Sequence, residues 1–453
     1  MMNNLKVGFS TVNVAPPLGI PVQGYFIPRH AKGFLDDPVV DALVLECGEK
    51  RIAMISIPVC TFPRELSDPW LEQVEAVTGI PKANCFLSAT HTHTGGGVRP
   101  NGKGDKAEEM ITAYRNFMGE RVVDAVKLAI DNIKPAKMGY IYGWAPERVA
   151  YIRRYKMKDG STFTCPPIDD PNIDHAIGEL DQRVNVLRFD QENGNTIVLV
   201  NYGLHADTIN GELISGDWPV WMAKTLDKAL DGVKTIFFNG AEGDVGSTNV
   251  HPSGGDMNDT EISFDNEMKS PGMARFVGRA LAGTVLQVFD KVYYVDVDEI
   301  DITEKVIQIP SNMPKPEEMP LAKKYKELHD AGRDDLIPYE AMQLTTVVAE
   351  ATRMCLLENG PESFNLNLTG LKIGPVALVG IPGEPFTEIG VEIKKAEGWD
   401  LILPCCLTNG AMGYFPMMSA YDEGGYEARS SRFKAGVAER IIEGAKELLA
   451  EMK

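Results

Sequence analysis

The chain has 453 residues and a formal net charge of −19, with 44% apolar and 24% charged residues. Its negative charge argues against nucleic-acid and anionic-membrane partners, and no apolar run approaches the roughly 20 residues of a membrane span. Residues 1–10 lack the pattern of a secretory signal, and the seven cysteines lie largely in apolar runs. We therefore expect a cytoplasmic protein with reduced thiols and no stable membrane insertion.

Apolar runs typical of strands alternate with periodic segments typical of helices. The predicted strands are 42–47, 52–57, 83–89, 138–144, 184–189, 196–202, 235–239 and a pair over 366–381. The predicted helices are 66–78, 106–133, 217–230, 272–292 and 430–452, with an exposed helix within 313–335. Residues 251–270 are polar and predict a flexible loop that covers a site. No repeat or low-complexity linker divides the chain, so residues 1–453 are expected to form a single α/β domain of mixed β-sheets layered with helices.

Two of the seven histidines, His91 and His93, follow the predicted strand 83–89 and precede three glycines. Alternate residues of a strand point to the same face, so both imidazoles are expected to project together at a strand end. Imidazole binds zinc and similar ions and titrates near neutral pH. The pattern predicts a metal or catalytic site, and two surface histidines on a loop are the alternative.

Three further segments place polar side chains just after apolar strands. His205 follows strand 196–202, where a capping or core histidine is the alternative to a metal ligand. Glu242, Asp244 and Ser247 lie in a glycine-rich turn that can present backbone N–H groups to an anion. Glu384 stands between a glycine and a proline, which disfavour an ordinary helix there, so it is either a zinc ligand or an acid at a helix start.

A loop rich in tyrosine and glycine follows near the end of the chain. It contains Tyr414, Tyr421 and Tyr426 together with three glycines and a proline. This composition favours an ordered functional loop over a flexible one, and ordinary aromatic packing is the alternative.

In this order the five segments resemble the neutral (alkaline, non-lysosomal) ceramidase family over nearly the whole chain. The family's Thr-His-Thr-His-Ser-Gly signature corresponds to residues 90–95. Its Pro-Gly-Glu-Phe-Thr motif corresponds to residues 382–387 with one proline inserted, and its Tyr-Glu loop is matched over residues 414–427. The resemblance implies the catalytic domain of that family without its C-terminal immunoglobulin-like domain.

The resemblance also implies a set of site residues. A Zn²⁺ ion would be held by His91, His205, Glu384 and Tyr421. His93 would lie beside the reacting carbonyl, together with an arginine for which Arg148 is the nearest match and Arg153 or Arg154 the alternatives. The family's nucleophilic serine falls on Gly246 without a gap, and on Ser247, in the turn that contains Asp244, after a shift of one residue.

We therefore predict a zinc-dependent hydrolase that cleaves an amide (N-acyl) bond with metal-activated water. The substrate would be a small or lipid-like molecule and need not be ceramide, because the serine motif is altered. One alternative is the same scaffold hydrolysing a glycosidic or ester bond in a carbohydrate-related substrate. The other is a catalytically silent binding protein. The sequence does not set an oligomeric state.

Overall fold

The computed structural model describes residues 4–100 and 102–453. The strands in this part of the chain are β1 (Leu5–Asn13), β2 (Gly33–Phe34), β3 (Val39–Cys47), β4 (Lys50–Ile57), β5 (Cys85–Ala89), β6 (Lys134–Trp144), β7 (Tyr151–Ile152), β8 (Arg154–Met157), β9 (Thr162–Thr164), β10 (Ile173–Ala176), β11 (Arg183–Gln191), β12 (Thr196–Tyr202), β13 (Leu213–Ile214), β14 (Lys234–Asn239), β15 (Val245–Gly246), β16 (Glu261–Ile262), β17 (Met268–Lys269), β18 (Tyr293–Val295), β19 (Ile300–Pro310), β20 (Ser363–Ile373), β21 (Val376–Gly380), β22 (Glu384–Pro385), β23 (Leu401–Cys405) and β24 (Tyr414–Phe415).

The helices in the same part of the chain separate these strands. They are α1 (Arg64–Thr78), α2 (Lys106–Asp131), α3 (Trp218–Ala229), α4 (Pro271–Val288), α5 (Met319–Asp330), α6 (Ala341–Leu357), α7 (Thr387–Ile393), α8 (Met418–Glu423), α9 (Tyr426–Ser430) and α10 (Val437–Glu451). None of these helices combines the length and the apolarity that a membrane crossing requires.

Two large sheets form the centre of the molecule. The first has nine strands, in the order β14-β12-β11-β6-β1-β3-β4-β5, with β18 also paired to β6. The second has four strands, in the order β19-β20-β21-β23. Both contain antiparallel and parallel pairs, because β4–β5, β12–β14 and β21–β23 run parallel. The expectation of a mixed α/β fold is therefore confirmed.

Alternation along the strands of the larger sheet determines the layers. In β3, Ala42 and Val44 belong to a core shared with α1 and α2, whereas Leu43 and Leu45 belong to a core shared with the four-stranded sheet. The other half of the large sheet packs against α3 and α4 in the same way. The outer face of the small sheet is covered by α7 and α10. The result is four layers in the order helices, sheet, sheet, helices.

Most predicted elements agree with the structure to within about four residues, and β12 matches its predicted bounds, whereas the helix predicted over 430–452 begins only at Val437, as α10. Helix α6 was missed because its Thr-Thr-Val-Val run is β-branched and masks the helical period. The polar segment 251–270 contains the short hairpin of β16 and β17, so it is more ordered than predicted.

The large sheet curves so that its two end strands approach each other. Phe86 of β5 and Phe238 of β14 are in edge-to-face contact, with ring centroids 5.7 Å apart. The loops that follow β5, β12, β14 and β21 therefore emerge close together. These are the loops to which the sequence assigned its candidate residues.

Candidate metal centre

A cavity of about 730 Å³ opens where these loops meet. His91, His93 and Glu384 lie on its wall, together with Arg153 and Tyr414. A pocket of this size with a few convergent polar groups is the usual form of a small-molecule site.

Three of the four predicted ligands converge on one point. The Nε2 atom of His91 lies 3.4 Å from Oε2 of Glu384, and Nε2 of His205 lies 3.5 Å from the same oxygen. Two ligands about 2.0–2.1 Å from a tetrahedral zinc ion are separated by about 3.3 Å. The three donor atoms therefore have the spacing of neighbouring ligands of one ion.

Hydrogen bonds orient both imidazoles toward that point. Nδ1 of His91 donates to the carbonyl oxygen of Cys60 at 2.8 Å. Nδ1 of His205 lies 2.9 Å from the carbonyl oxygen of Glu242 and 3.0 Å from that of Val245, and it also contacts the Glu242 carboxylate. Since each Nδ1 carries the proton, each Nε2 presents a lone pair, which is the usual arrangement in histidine–metal sites.

The carboxylate at the centre has an oxygen without a hydrogen bond. Glu384 is 5% exposed, and its Oε2 has no hydrogen-bond partner despite the two nearby nitrogens. Burial raises the pKa of Glu384, and protonation of His91 and His205 lowers it well below its usual range, so the carboxylate is ionised when positive charge lies beside it. When both Nε2 atoms are instead deprotonated, the buried and unpaired carboxylate oxygen faces two lone pairs, and a divalent cation would supply that positive charge.

His91 and His93 do not project from one face of a strand, as the sequence predicted, because both lie beyond the strand end. Strand β5 ends at Ala89, and His91 lies beyond it with φ of 67°, in the left-handed region that non-glycine residues seldom adopt. His91 and His93 therefore do not share a strand face. They meet because the backbone turns, which places their Nε2 atoms 3.2 Å apart.

His93 lies at the edge of the centre and faces the cavity. It does not belong to the mutually close group formed by His91, His205, Glu242 and Glu384, but it forms a second such group with Cys60 and His91. Burial lowers the pKa of His93, and the positive charge of the neighbouring histidines lowers it further, so the imidazole is neutral at neutral pH. Its Nδ1 has no hydrogen-bond partner, since the Asp207 oxygen 3.4 Å away is not in hydrogen-bonding geometry.

Tyr421, the fourth ligand implied by the resemblance, is not part of this centre. Its hydroxyl donates to the carbonyl oxygen of Phe433 at 2.7 Å, and its ring packs in the core beneath α10. Tyr414 occupies the expected place instead, with its hydroxyl 3.5 Å from Nε2 of His205. The parallel pairing of β22 with β24 sets Glu384 beside Tyr414, a long-range register that sequence spacing does not reveal.

Arg148 is likewise outside the centre. Its side chain is 47% exposed and pairs with Asp256 at the rim of a second cavity. Arg153, one of the two alternatives, is the arginine of the site, with Nη1 3.2 Å from Nε2 of His205 and Nη2 donating to the Tyr414 hydroxyl at 3.1 Å. A buried ion pair with Glu427, 2.8 Å long, holds the guanidinium in place.

The glycine-rich turn stabilises the segments around the main cavity but places no nucleophile on its wall. Ser247 lines the second cavity with Arg148. Asp244 is buried, and its Oδ1 accepts hydrogen bonds from the backbone and hydroxyl of Thr387 at 2.8 and 2.9 Å. Asp244 therefore fixes the start of α7, next to Glu384, and does not face the cavity.

Glu242 is a member of the centre that the sequence placed in the turn without a specific role. Its carboxylate contacts Nδ1 of His205 and is fully buried. Gly243 makes this position possible, because a Cβ there would lie 2.5 Å from the carbonyl oxygen of Glu384. The available signal was its place just after the apolar strand 235–239, like that of His205 after strand 196–202.

Of the comparisons with known proteins, the one with solved structures finds similar proteins. No family model and no curated protein matches the chain. The chain is similar to the crystal structure of neutral ceramidase from Pseudomonas aeruginosa, with a TM-score of 0.71 and 16% identity over 100% of this chain and 75% of that one. It is equally similar to a ceramidase complexed with C2, at 16% identity and a TM-score of 0.71 over 99% and 76% of the two chains. At this identity the likeness shows that the chain has a neutral-ceramidase-like fold.

Proposed function

We propose that the protein is a zinc-dependent hydrolase that cleaves an amide (N-acyl) bond with water as the nucleophile. The observation that carries the proposal is the convergence of the His91 and His205 Nε2 atoms on the unpaired Oε2 of Glu384. The similar solved structures are ceramidases, and we take the amide bond from that likeness. Tyr414 would complete the set of ligands in place of Tyr421.

A divalent ion bound at this centre supplies Lewis-acid polarisation of a carbonyl and lowers the pKa of water. The side chains around it supply the rest. His93 is neutral and lines the cavity, and its Nε2 lies 3.2 Å from Nε2 of His91, so it can take a proton from water beside the centre and return it to the leaving amine. The Arg153 guanidinium and the Tyr414 hydroxyl can donate to the oxygen on which negative charge develops.

The choice of water follows from the residues of the cavity wall. Among the described residues that line it there is no serine. The position of the family's serine motif is Gly246 here, and the neighbouring Ser247 faces the second cavity. A covalent acyl intermediate on serine is therefore not part of the proposal.

Metal content measured together with activity tests the centre. We expect about one zinc ion per purified chain, lost with activity in His91→Ala, His205→Ala and Glu384→Gln, and retained in the exposed-surface control His175→Ala. Removal of zinc by a chelator should abolish turnover, and added zinc should restore it. A His91→Ala chain that kept full zinc content would contradict the ligand assignment.

The scissile bond is tested with matched substrates that differ at one atom. N-acyl, O-acyl and glycosidic derivatives of the same alcohol or amine skeleton are compared for kcat/KM on the zinc-loaded chain. Preferential hydrolysis of the N-acyl member supports the proposal. Turnover confined to the ester or glycoside would overturn the amide assignment, and a chain without zinc that turned over none of them would indicate a binding protein.

A further inference from the structure

A cysteine lies beside the histidine pair, on the side of the centre that faces the cavity. Cys60 is 7% exposed and lines the cavity together with His91 and His93, whereas His205 is not among the described residues on the cavity wall. One donor atom from each of Cys60, His91 and His93 lies within 4.8 Å of the other two. A thiolate and two imidazoles are all zinc ligands. The chain therefore has two groups of potential ligands, and both contain His91.

The fold brings the cysteine and the histidines to one edge of the large sheet. Strands β4 and β5 are parallel neighbours, so the segments that follow them leave the sheet on the same side. Cys60 is the third residue after β4, and His91 is the second after β5. Gly95 allows the two segments to pack closely, because a Cβ there would lie 2.6 Å from the carbonyl oxygen of Pro58.

The donor atoms need to move little to coordinate one ion. The Nε2 atoms of His91 and His93 are 3.2 Å apart, against about 3.3 Å for two nitrogen ligands of a tetrahedral zinc ion. A sulfur and a nitrogen ligand of such an ion are about 3.5 Å apart, and the Cys60 sulfur lies 3.8 Å from Nδ1 of His91. A rotation of about 30° around the Cα–Cβ bond of Cys60 moves its sulfur by about 1 Å, which closes most of the remaining gap.

The Cys60 thiol also differs from the other buried thiols of the described chain in its partner. Each of the other five lies within hydrogen-bond range of an oxygen that can accept from it (Cys47, Cys85, Cys165, Cys405 and Cys406). The Cys60 sulfur instead faces Nδ1 of His91, which already donates to the Cys60 carbonyl oxygen at 2.8 Å. This thiol therefore has no acceptor of its own, and its sulfur remains available to a ligand in the cavity.

We propose that Cys60, His91 and His93 form a second cation site on the cavity side of His91, which takes a thiophilic divalent ion such as Cd²⁺ or excess Zn²⁺ and cannot be filled together with the proposed catalytic centre. As the metal–sulfur bond forms, the thiol releases its proton to solvent. The two sites exclude each other because Nδ1 of His91 carries a proton, which leaves only the Nε2 lone pair for one ion.

Occupation of this site inhibits the proposed reaction in two ways. It withdraws His91 from the centre that also contains His205 and Glu384, and it takes the Nε2 atom of His93 that would move the proton. This inhibitory effect rests on the proposed function. The binding of the ion by a sulfur and two nitrogens does not rest on it.

The test is a cadmium titration of the full chain loaded with one zinc ion, in buffer without thiol reductants. The cadmium–thiolate charge-transfer band in the ultraviolet reports sulfur ligation, and mass spectrometry of the elements counts both metals after unbound ions are removed. We expect the band to saturate at about one Cd²⁺ per chain while zinc is lost in step. Cadmium that simply replaced zinc at His91, His205 and Glu384 would give no such band.

Variants assign the band to its ligands. Cys60→Ser should abolish it and raise the cadmium concentration that displaces half of the zinc about tenfold or more. The matched control is Cys355→Ser, which alters the partly exposed thiol of α6 and should keep the wild-type band. His93→Asn keeps the atoms that pack against Gly24 and removes Nε2, so zinc content should stay at about one while the cadmium midpoint rises about tenfold.

The outcomes distinguish this inference from the proposed function. A band that disappears in Cys60→Ser, in a chain that hydrolyses no amide, supports the inference and overturns the hydrolase. Zinc-dependent amide hydrolysis by a wild-type chain that shows no band overturns the inference and supports the hydrolase. An equal band in wild type and Cys60→Ser overturns the inference. Full retention of zinc beneath a saturated band also overturns it, because the two sites would then not share His91.

Discussion

Replacing Glu242 by glutamine tests whether this residue binds the metal directly or only positions the proposed ligand His205. Glu242 and Glu384 are both buried and both lie in the group of potential donors around His91 and His205. The contacts differ, because the Glu384 oxygen faces the two Nε2 atoms and the Glu242 carboxylate contacts Nδ1 of His205. We therefore predict that Glu242→Gln weakens zinc binding without abolishing it.

The size of the effect follows from what else holds His205. Loss of a partner behind a metal-binding histidine costs about 10–100-fold in metal affinity. Here the same Nδ1 also has carbonyl oxygens at 2.9 and 3.0 Å, so the tautomer and the ring orientation survive. Glutamine keeps one acceptor oxygen, replaces the other with an NH2 donor and removes the charge. We expect the lower end of the range, about tenfold or about 1.4 kcal/mol.

The assay is competition for zinc against a chromophoric chelator near neutral pH, with wild type, Glu242→Gln, Glu384→Gln and the exposed control Glu261→Gln side by side. Glu384→Gln should lose more than about a hundredfold because a ligand is removed, and Glu261→Gln should match wild type. If Glu242→Gln lost as much affinity as Glu384→Gln, Glu242 would be a direct ligand. If it lost none, the contact with His205 would have no positioning role.

Four further variants test the rest of the centre. Tyr414→Phe should lower kcat/KM about tenfold or more, because its hydroxyl lies at the centre. Tyr421→Phe should leave turnover unchanged. It should lower the free energy of unfolding by about 1 kcal/mol, because the hydrogen bond to a main-chain carbonyl is lost. Gly243→Ala would bring a methyl group 2.5 Å from the carbonyl oxygen of Glu384, so urea unfolding should show a loss of about 1–3 kcal/mol and zinc content should fall. Ser247→Ala should retain wild-type kcat/KM, because this side chain lines the second cavity, and a large loss would show that the serine reaches the reaction.

Much of the fold could be predicted because its strands have a clear period. In β3 and β12 successive side chains alternate between two different cores. This alternation can be recognised in the sequence without knowledge of the partner strand. His91, His205 and Glu384 could be singled out for a related reason. Each follows an apolar strand, and the ends of such strands gather where the sheets meet.

The sequence did not single out Arg153 and Tyr414, because both reach the site through strand pairings between segments that are distant in the chain. Arg153 enters the site because β7 pairs with β15, which carries the turn after Glu242 beside it. Tyr414 enters because β22 pairs with β24, while Tyr421, seven residues later, is carried into the core by α8. Neither pairing has a local signature, so counting along the chain selected Arg148 and Tyr421 among equally plausible neighbours.

Gly246 shows that the altered serine motif is compatible with the fold. A Cβ at this position would lie 3.7 Å from Cβ of Arg153 and 4.0 Å from Oε1 of Glu267, which is ordinary contact, and its backbone is outside the left-handed region. Neither packing nor backbone strain therefore excludes a serine, whose hydroxyl would lie between Arg153 and Glu267. Because the scaffold tolerates that hydroxyl and the chain does not supply it, the glycine is consistent with a reaction in which water attacks.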